Sequence, residues 1–212
     1  MITAKDIYVY FTYFSSLSVL VPIGFSIFKF SAFNKQLKAL FSYLLLNLTN
    51  DFIGYLLFIN NISTAFSFEI FAIIQGFIVV YIYSDRFKFS TRTMLSIQLL
   101  MLSLFLFVHF GSPTSLDFSN ALVDLVLCFF GVRYFTQIFI NLQIPVLTDY
   151  YFFWINTAFL FYFGTTFLFS LFENFIRSGD ETLAFLTWSI QLISNIIHNF
   201  LLSIGVWKIQ KT

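Results

Sequence analysis

Seven apolar stretches, separated by short polar joints, recur along the 212-residue chain. A transmembrane helix needs about 20 consecutive, mostly apolar residues, and each stretch approaches or reaches that length. They cover residues 7–28, 39–58, 67–83, 94–110, 120–140, 150–171 and 183–207, and the third and fourth are the shortest. Because no joint is long enough for a separate domain, we predict one all-α domain over residues 1–212, a polytopic membrane bundle of about seven transmembrane helices.

The composition supports a membrane protein and argues against a soluble one. Hydrophobic residues make up 59% of the chain and charged residues 10%, whereas soluble domains have about 45–50% and about 25%. The formal net charge of +1 gives no general attraction to nucleic acid, so we expect none as a partner. The expected surroundings are a lipid bilayer, and the expected location is the bacterial inner membrane as a multi-pass protein.

The basic residues are distributed asymmetrically between the two sets of joints. Cytoplasmic loops of membrane proteins carry an excess of Lys and Arg. If the N-terminus lies outside, only Lys5 and Arg177 are on the outer side. The cytoplasmic side then holds Lys29, Lys35, Lys38, Arg86, Lys88, Arg92, Lys208 and Lys211. We therefore predict an outside N-terminus, a cytoplasmic C-terminus and an uncleaved first span. Interfacial aromatic residues, Tyr83 and Trp207 among them, are expected at the inner edge.

Polar side chains within the spans are the candidates for a functional site, because such groups are costly in lipid. Spacings of three and four residues place the polar groups of the second span on one helical face, and likewise those of the seventh. In the fifth span Arg133 and Gln137 share a face, while Asp124 lies nearly opposite. The predicted intramembrane polar pocket comprises Asn47, Asn50, Asp51, Gln75, Arg133, Gln137, Gln191, Asn195 and His198.

Two interpretations of these residues remain open. In the functional one, the second, third, fifth and seventh spans line a pocket. In the structural one, the amides are interhelical hydrogen-bonding groups, and Asp51 forms an ion pair with Arg133.

Several kinds of chemistry are disfavoured by the residues present. The two histidines, His109 and His198, fall at different depths, whereas a zinc site needs three or four clustered ligands. No lysine lies within a span to form a retinal Schiff base, and no glycine-rich phosphate loop occurs. Cys128 stands in an apolar run and is interpreted as a packing residue. We predict no metal, no cofactor and no catalytic residues.

The second and seventh spans carry a further pattern. Asp51 is followed by an Asn60-Asn61 turn and by Gln75, and the last span ends in Ile204-Gly205-Val206-Trp207-Lys208. In these features the chain resembles small uncharacterised seven-span integral membrane proteins of Bacteroidota-type bacteria, although Gln75 stands where those proteins carry an acidic residue. The resemblance implies a membrane location and an architecture, and no activity.

Three classes of function remain. Seven spans, minimal loops and a few buried polar groups favour a receptor-like or accessory protein that signals through another membrane protein. Pro22 and Gly24 in the first span are typical of the interrupted helices of transporters, so a small-molecule transporter or permease is the alternative. A lipid enzyme that uses Asp51 and His198 is weaker, because their expected depths differ by about 10 Å at 1.5 Å per residue. The ligand stays unknown.

Overall fold

A computed structural model describes residues 3–111, 116–141, 146–178 and 181–209, and the regular secondary structure in these ranges is helical. Short 3₁₀ turns occur at Phe30–Ala32 and Leu147–Asp149. The α helices are α1 (Ala4–Ser18), α2 (Leu20–Lys29), α3 (Lys35–Ile59), α4 (Ala65–Arg86), α5 (Thr91–Gly111), α6 (Leu116–Asn141), α7 (Tyr151–Ser178) and α8 (Glu181–Trp207).

The prediction of seven spans is confirmed for the described part of the chain, by length and composition. The helices α1 and α2 together supply the first candidate span, Lys5–Ala32, and α3 to α8 supply one each. The third and fourth, which looked shortest in the sequence, are 20 residues each. The orientation of the termini stays a prediction.

The helices pack as a bundle in which α7 lies between α6 and α8. Helix α8 also packs on α1 and α2, α3 packs on α4, and α4 reaches α5 and α6. Gly205 permits the close approach of α8 to α7, because a Cβ there would lie 2.8 Å from Ile155 Cγ1 and 3.2 Å from the Tyr151 carbonyl oxygen. Small residues at such crossings let helix backbones come close together in membranes.

The first span is broken at Val19, between α1 and α2. Pro22 lacks the N–H that would bond to the carbonyl of Ser18, and its ring crowds that carbonyl. A proline three residues beyond the break is one of the recognised causes of a helix kink. The break lies well inside the span Lys5–Ala32.

The outer surface is strongly apolar. Phe28, Phe107, Phe110 and Ile140 are each more than 70% exposed, and many other large hydrophobic side chains point outward with them. A soluble monomer rarely exposes contiguous apolar surface on this scale. A bilayer would cover this surface, which agrees with the hydropathy of the seven helices.

One end of the bundle, here called the basic end, gathers several cationic side chains. Lys29 Nζ donates to the Ile209 carbonyl at 3.0 Å, and Lys208 pairs with Asp149 at 3.0 Å. The Arg86 guanidinium donates to the hydroxyls of two tyrosines, Tyr150 and Tyr151. These contacts tie the ends of α2, α4 and α8 to the start of α7.

Candidate functional site

His198 is fully buried in the centre of the bundle. Its Nδ1 lies 2.9 Å from the Ala158 carbonyl oxygen, and its Nε2 lies 3.1 Å from the Tyr43 hydroxyl. A carbonyl can only accept, so Nδ1 carries the hydrogen, and in a neutral imidazole Nε2 accepts from Tyr43. The rings of Tyr43, Phe159 and Tyr162 surround the imidazole, with Tyr162 closest at 4.6 Å between centroids. His198 thus joins α8 to both α3 and α7.

A chain of polar groups continues from His198 along α3. The Tyr43 side chain also lies beside that of Asn47, one helical turn further on. The Gln75 side-chain amide of α4 donates in turn to Asn47 Oδ1. Residues of the predicted pocket from the second, third and seventh spans are therefore linked through Tyr43.

Two carboxyl groups lie beside this chain. The Asp51 carboxyl group of α3 lies beside Ser16 of α1, while Asp124 of α6 is only 6% exposed. Both carboxyl groups lie near Tyr162, and Asp124 also lies near Tyr43. In the described ranges neither carboxyl group has a cationic partner, and Asp124 has no hydrogen bond. Together with His198, Tyr43, Asn47, Gln75 and Tyr162 they form what we call the central cluster.

The polar face of α8 also contacts the first span just before its break. Asn195 Nδ2 donates to Ser15 Oγ at 2.8 Å, and Asn199 Nδ2 donates to Ser18 Oγ at 2.8 Å. With the Asp51–Ser16 contact, three polar interactions hold the last turn of α1. The asparagines act as the interhelical hydrogen-bonding groups of the structural interpretation, at the place where the first span bends.

The remaining amides of the predicted pocket are less fully satisfied. Gln191 Nε2 donates to Thr166 Oγ1 at 3.2 Å, whereas Gln191 Oε1 is buried and finds no partner in the described part of the chain. Asn50 Oδ1 is likewise buried without a partner in the described part of the chain. These two residues do not join the central cluster.

Arg133 and Gln137 do not lie in the pocket that the sequence predicted. Both are exposed on the outside of α6, and the Arg133 guanidinium lies 5.3 Å over the Phe87 ring. Asp124 and Arg133 are nine residues apart, or about two and a half turns at 3.6 residues per turn. Because Asp124 points inward, Arg133 must point outward. The ion pair between Asp51 and Arg133, considered from the sequence, does not occur.

Comparison with family models, with curated proteins and with solved structures finds no match. The functional argument therefore depends on the residues of the central cluster.

Metal or thiol chemistry gains no support from the described ranges. No three His, Cys, Asp or Glu side chains come together there as they would to hold a metal ion. Cys128 lies one turn after Asp124 on α6 and is free and partly exposed. The ring nitrogens of His198 contact Ala158 and Tyr43, so His198 does not form the pair with Asp51 that the sequence suggested for a lipid enzyme.

Sequence reasoning missed several buried polar residues. Tyr83, expected at the membrane edge, is fully buried and donates to Asn156 Oδ1 at 2.5 Å. Glu69, within the third predicted span, is buried and lies 3.3 Å from His109. Glu69 could have been identified from the sequence, because it is an acidic residue within an apolar stretch. Tyr83 offered none, because its distance from the end of the span does not fix the direction of its side chain.

Proposed function

We propose that the protein is a receptor-like membrane protein whose central cluster binds and releases protons, and that it passes the resulting change to another membrane signalling protein. The observation that carries the proposal is the pair Asp51 and Asp124. Both lie within candidate spans and near Tyr162, and neither has a cationic partner in the described ranges. An ionisable group inside a membrane is by default a functional candidate.

Protons suit this cluster better than a larger ligand. The largest side chains that fill the interior are aromatic and fully buried, Tyr43 and Phe159 among them. A proton needs no cavity, only groups that can exchange it. Asp51, Asp124, Tyr162, Tyr43 and His198 are all such groups.

The contact between Asp51 and Ser16 would transmit the change. An ionised carboxylate can only accept a hydrogen bond, whereas a protonated carboxyl group can also donate one. The hydrogen-bonding pattern at Ser16, three residues before the break at Val19, would then differ between the two forms. A change that favours one packing of α1 over another shifts the population of the bundle.

A small proton-coupled transporter is the second candidate. The break at Val19, with Pro22 and Gly24 just beyond it, favours this function, because interrupted helices often mark transport sites. Transport would need a second, open arrangement of the first span. Proteoliposomes that enclose a pH-sensitive dye would report solute-induced proton entry, and transport predicts that Asp124→Asn abolishes it.

Infrared spectroscopy of the purified protein in lipid nanodiscs tests proton binding directly. Only a protonated carboxyl group shows a carboxylic C=O stretch, so pH titration should reveal bands from Asp51 and Asp124. We expect Asp51→Asn and Asp124→Asn each to remove one of these carboxylic C=O bands. Asp149→Asn is the matched control, because its side chain is 74% exposed at the basic end.

Spin labels test whether protonation moves the first span. Tyr10 on α1 and Ile190 on α8 are both exposed, and cysteines there, in a Cys128→Ser background, can carry the labels. The distance between them should change with pH in the parent protein and stay fixed in Asp51→Asn. A distance and a carboxyl band that are both independent of pH would refute the proposed function.

A further inference from the structure

A groove runs along the outer face of α6, away from the central cluster. It has a volume of about 460 Å³ and is lined by Phe129, Val132, Arg133, Thr136, Gln137 and Ile140. The positions 129, 132, 133, 136, 137 and 140 repeat at intervals of three and four residues, so they form a single face of the helix. We call this feature the α6 groove. It places one cation and one amide on a surface that is otherwise apolar.

The cation lies near the level at which neighbouring spans end. The Arg133 guanidinium lies over the ring of Phe87, the residue that follows the end of α4. The adjacent Tyr134 ring lies 4.9 Å from Phe152, the second residue of α7. Two neighbouring spans therefore end or begin beside Arg133, while α6 continues to Asn141. A bilayer spanned by α4 and α7 would have its lipid phosphates near this level.

The charge of Arg133 is not neutralised by the described part of the chain. In the described residues it has no ion pair and no hydrogen bond, and its contact is the cation–π interaction with Phe87 at 5.3 Å. Arg86, Lys88 and Arg92 belong to the same basic end, which strengthens its attraction for anions. A lipid-facing arginine without a counter-ion is costly, so this surface calls for an anionic occupant.

We propose that the α6 groove binds an anionic phospholipid. The guanidinium of Arg133 would hold the phosphate, for which its planar fork is well matched, and the Gln137 amide would bond to the headgroup. Phe129 and Val132 would contact the acyl chain, since they lie on the bilayer side of Arg133 and are 60% and 53% exposed. A carboxylate on a partner's transmembrane helix is less suited, because a bilayer spanned by α4 and α7 would place its phosphates near the level of the guanidinium.

Lipid titration of the detergent-solubilised full chain tests the site. Bound lipids can be counted by native mass spectrometry, with phosphatidylglycerol as the anionic probe and phosphatidylcholine as the zwitterionic reference. We expect Arg133→Gln to weaken phosphatidylglycerol binding about fivefold, the worth of one basic residue near anionic lipid. The matched control is Arg92→Gln, because Arg92 is an exposed arginine at the same end but outside the groove. This variant should leave the preference for phosphatidylglycerol over phosphatidylcholine unchanged.

A second variant distinguishes binding of the lipid phosphate from binding of the acyl chain. Val132→Trp keeps Arg133 and fills the groove at an exposed position, so phosphatidylglycerol binding should fall. Glycerol phosphate and inorganic phosphate, which lack acyl chains, should compete poorly with the lipid for the parent protein.

Three results would overturn the assignment. Unchanged phosphatidylglycerol binding in Arg133→Gln would remove the arginine from the site. Equal losses in Arg133→Gln and Arg92→Gln would reduce the effect to general surface charge. Release of a copurified membrane protein by Arg133→Gln, with lipid binding intact, would assign the groove to a partner helix instead.

Discussion

Replacement of Asp51 by asparagine distinguishes a residue of a functional cluster from one that holds the fold. The structure pairs Asp51 with Ser16 and places Arg133 on the outside of the bundle. Asparagine is nearly the same size as aspartate and can also bond to the serine hydroxyl. We therefore expect Asp51→Asn to change the free energy of unfolding by no more than about 1 kcal/mol, the net worth of a typical hydrogen bond.

An ion pair between Asp51 and Arg133 would give a much larger effect. Removal of one partner from a buried pair costs about 3–5 kcal/mol, because the other charge is left unpaired. The two residues share no partner, so the effects of Asp51→Asn and Arg133→Gln should add to within about 0.5 kcal/mol.

Thermal unfolding of the purified single and double variants in one detergent measures both quantities. For a chain of this length 1 kcal/mol corresponds to about 2–4 °C in Tm, which such scans resolve. Asp51→Ala is the comparison variant, since it leaves Ser16 without its partner and should cost more than asparagine. A strongly destabilised Asp51→Asn that Arg133→Gln rescues would refute this reasoning and make Asp51 structural.

Three further predictions concern the fold. Tyr43→Phe leaves Nε2 of His198 buried without its donor and should cost about 1–2 kcal/mol in thermal unfolding, whereas Tyr55→Phe at an exposed position of the same helix should cost nothing measurable. Gly205→Ala should destabilise by about 1–3 kcal/mol through overpacking, while Gly24→Ala, where a Cβ meets nothing within 4 Å, should be neutral or stabilising. A reporter fused to the C-terminus should report the cytoplasm and one in the joint between the sixth and seventh spans the outside; the reverse pattern would contradict the orientation.

The seven spans could be predicted because a bilayer leaves the chain few alternatives. Backbone groups in lipid must be satisfied within a helix or a closed barrel, so length and hydropathy are enough to locate each helix. The sequence also indicated that Asp124 and Arg133 lie on opposite sides of α6. It did not indicate which side faces inward, because both faces of that helix are mostly apolar.

The partners within the central cluster could not be predicted in the same way. Helical periodicity places Asn47 and Asp51 on one face, and the structure agrees with that. The hydrogen bond of Gln75 to Asn47 and the contact of Asp51 with Ser16 depend on which helices are neighbours and on their rotation. Tyr43 connects the cluster, yet a tyrosine in an apolar stretch gives no sign of its role.

The coupling of the cluster to the first span can be judged from the size of its contacts. Interhelical hydrogen bonds in membranes contribute about 0.6 kcal/mol each on average, so the bonds of Asn195 and Asn199 to α1 hold its last turn by about 1 kcal/mol, and the contact of Asp51 with Ser16 adds to this. Loss of one contact would shift an equilibrium between two packings of α1 by about threefold. Ser16→Ala removes the contact with Asp51 alone, so the spin-label distance should no longer depend on pH. Ser42→Ala, an exposed position on α3, should leave the pH dependence intact. A Ser16→Ala protein that keeps the parent's full pH response would show that the signal leaves the cluster by another route.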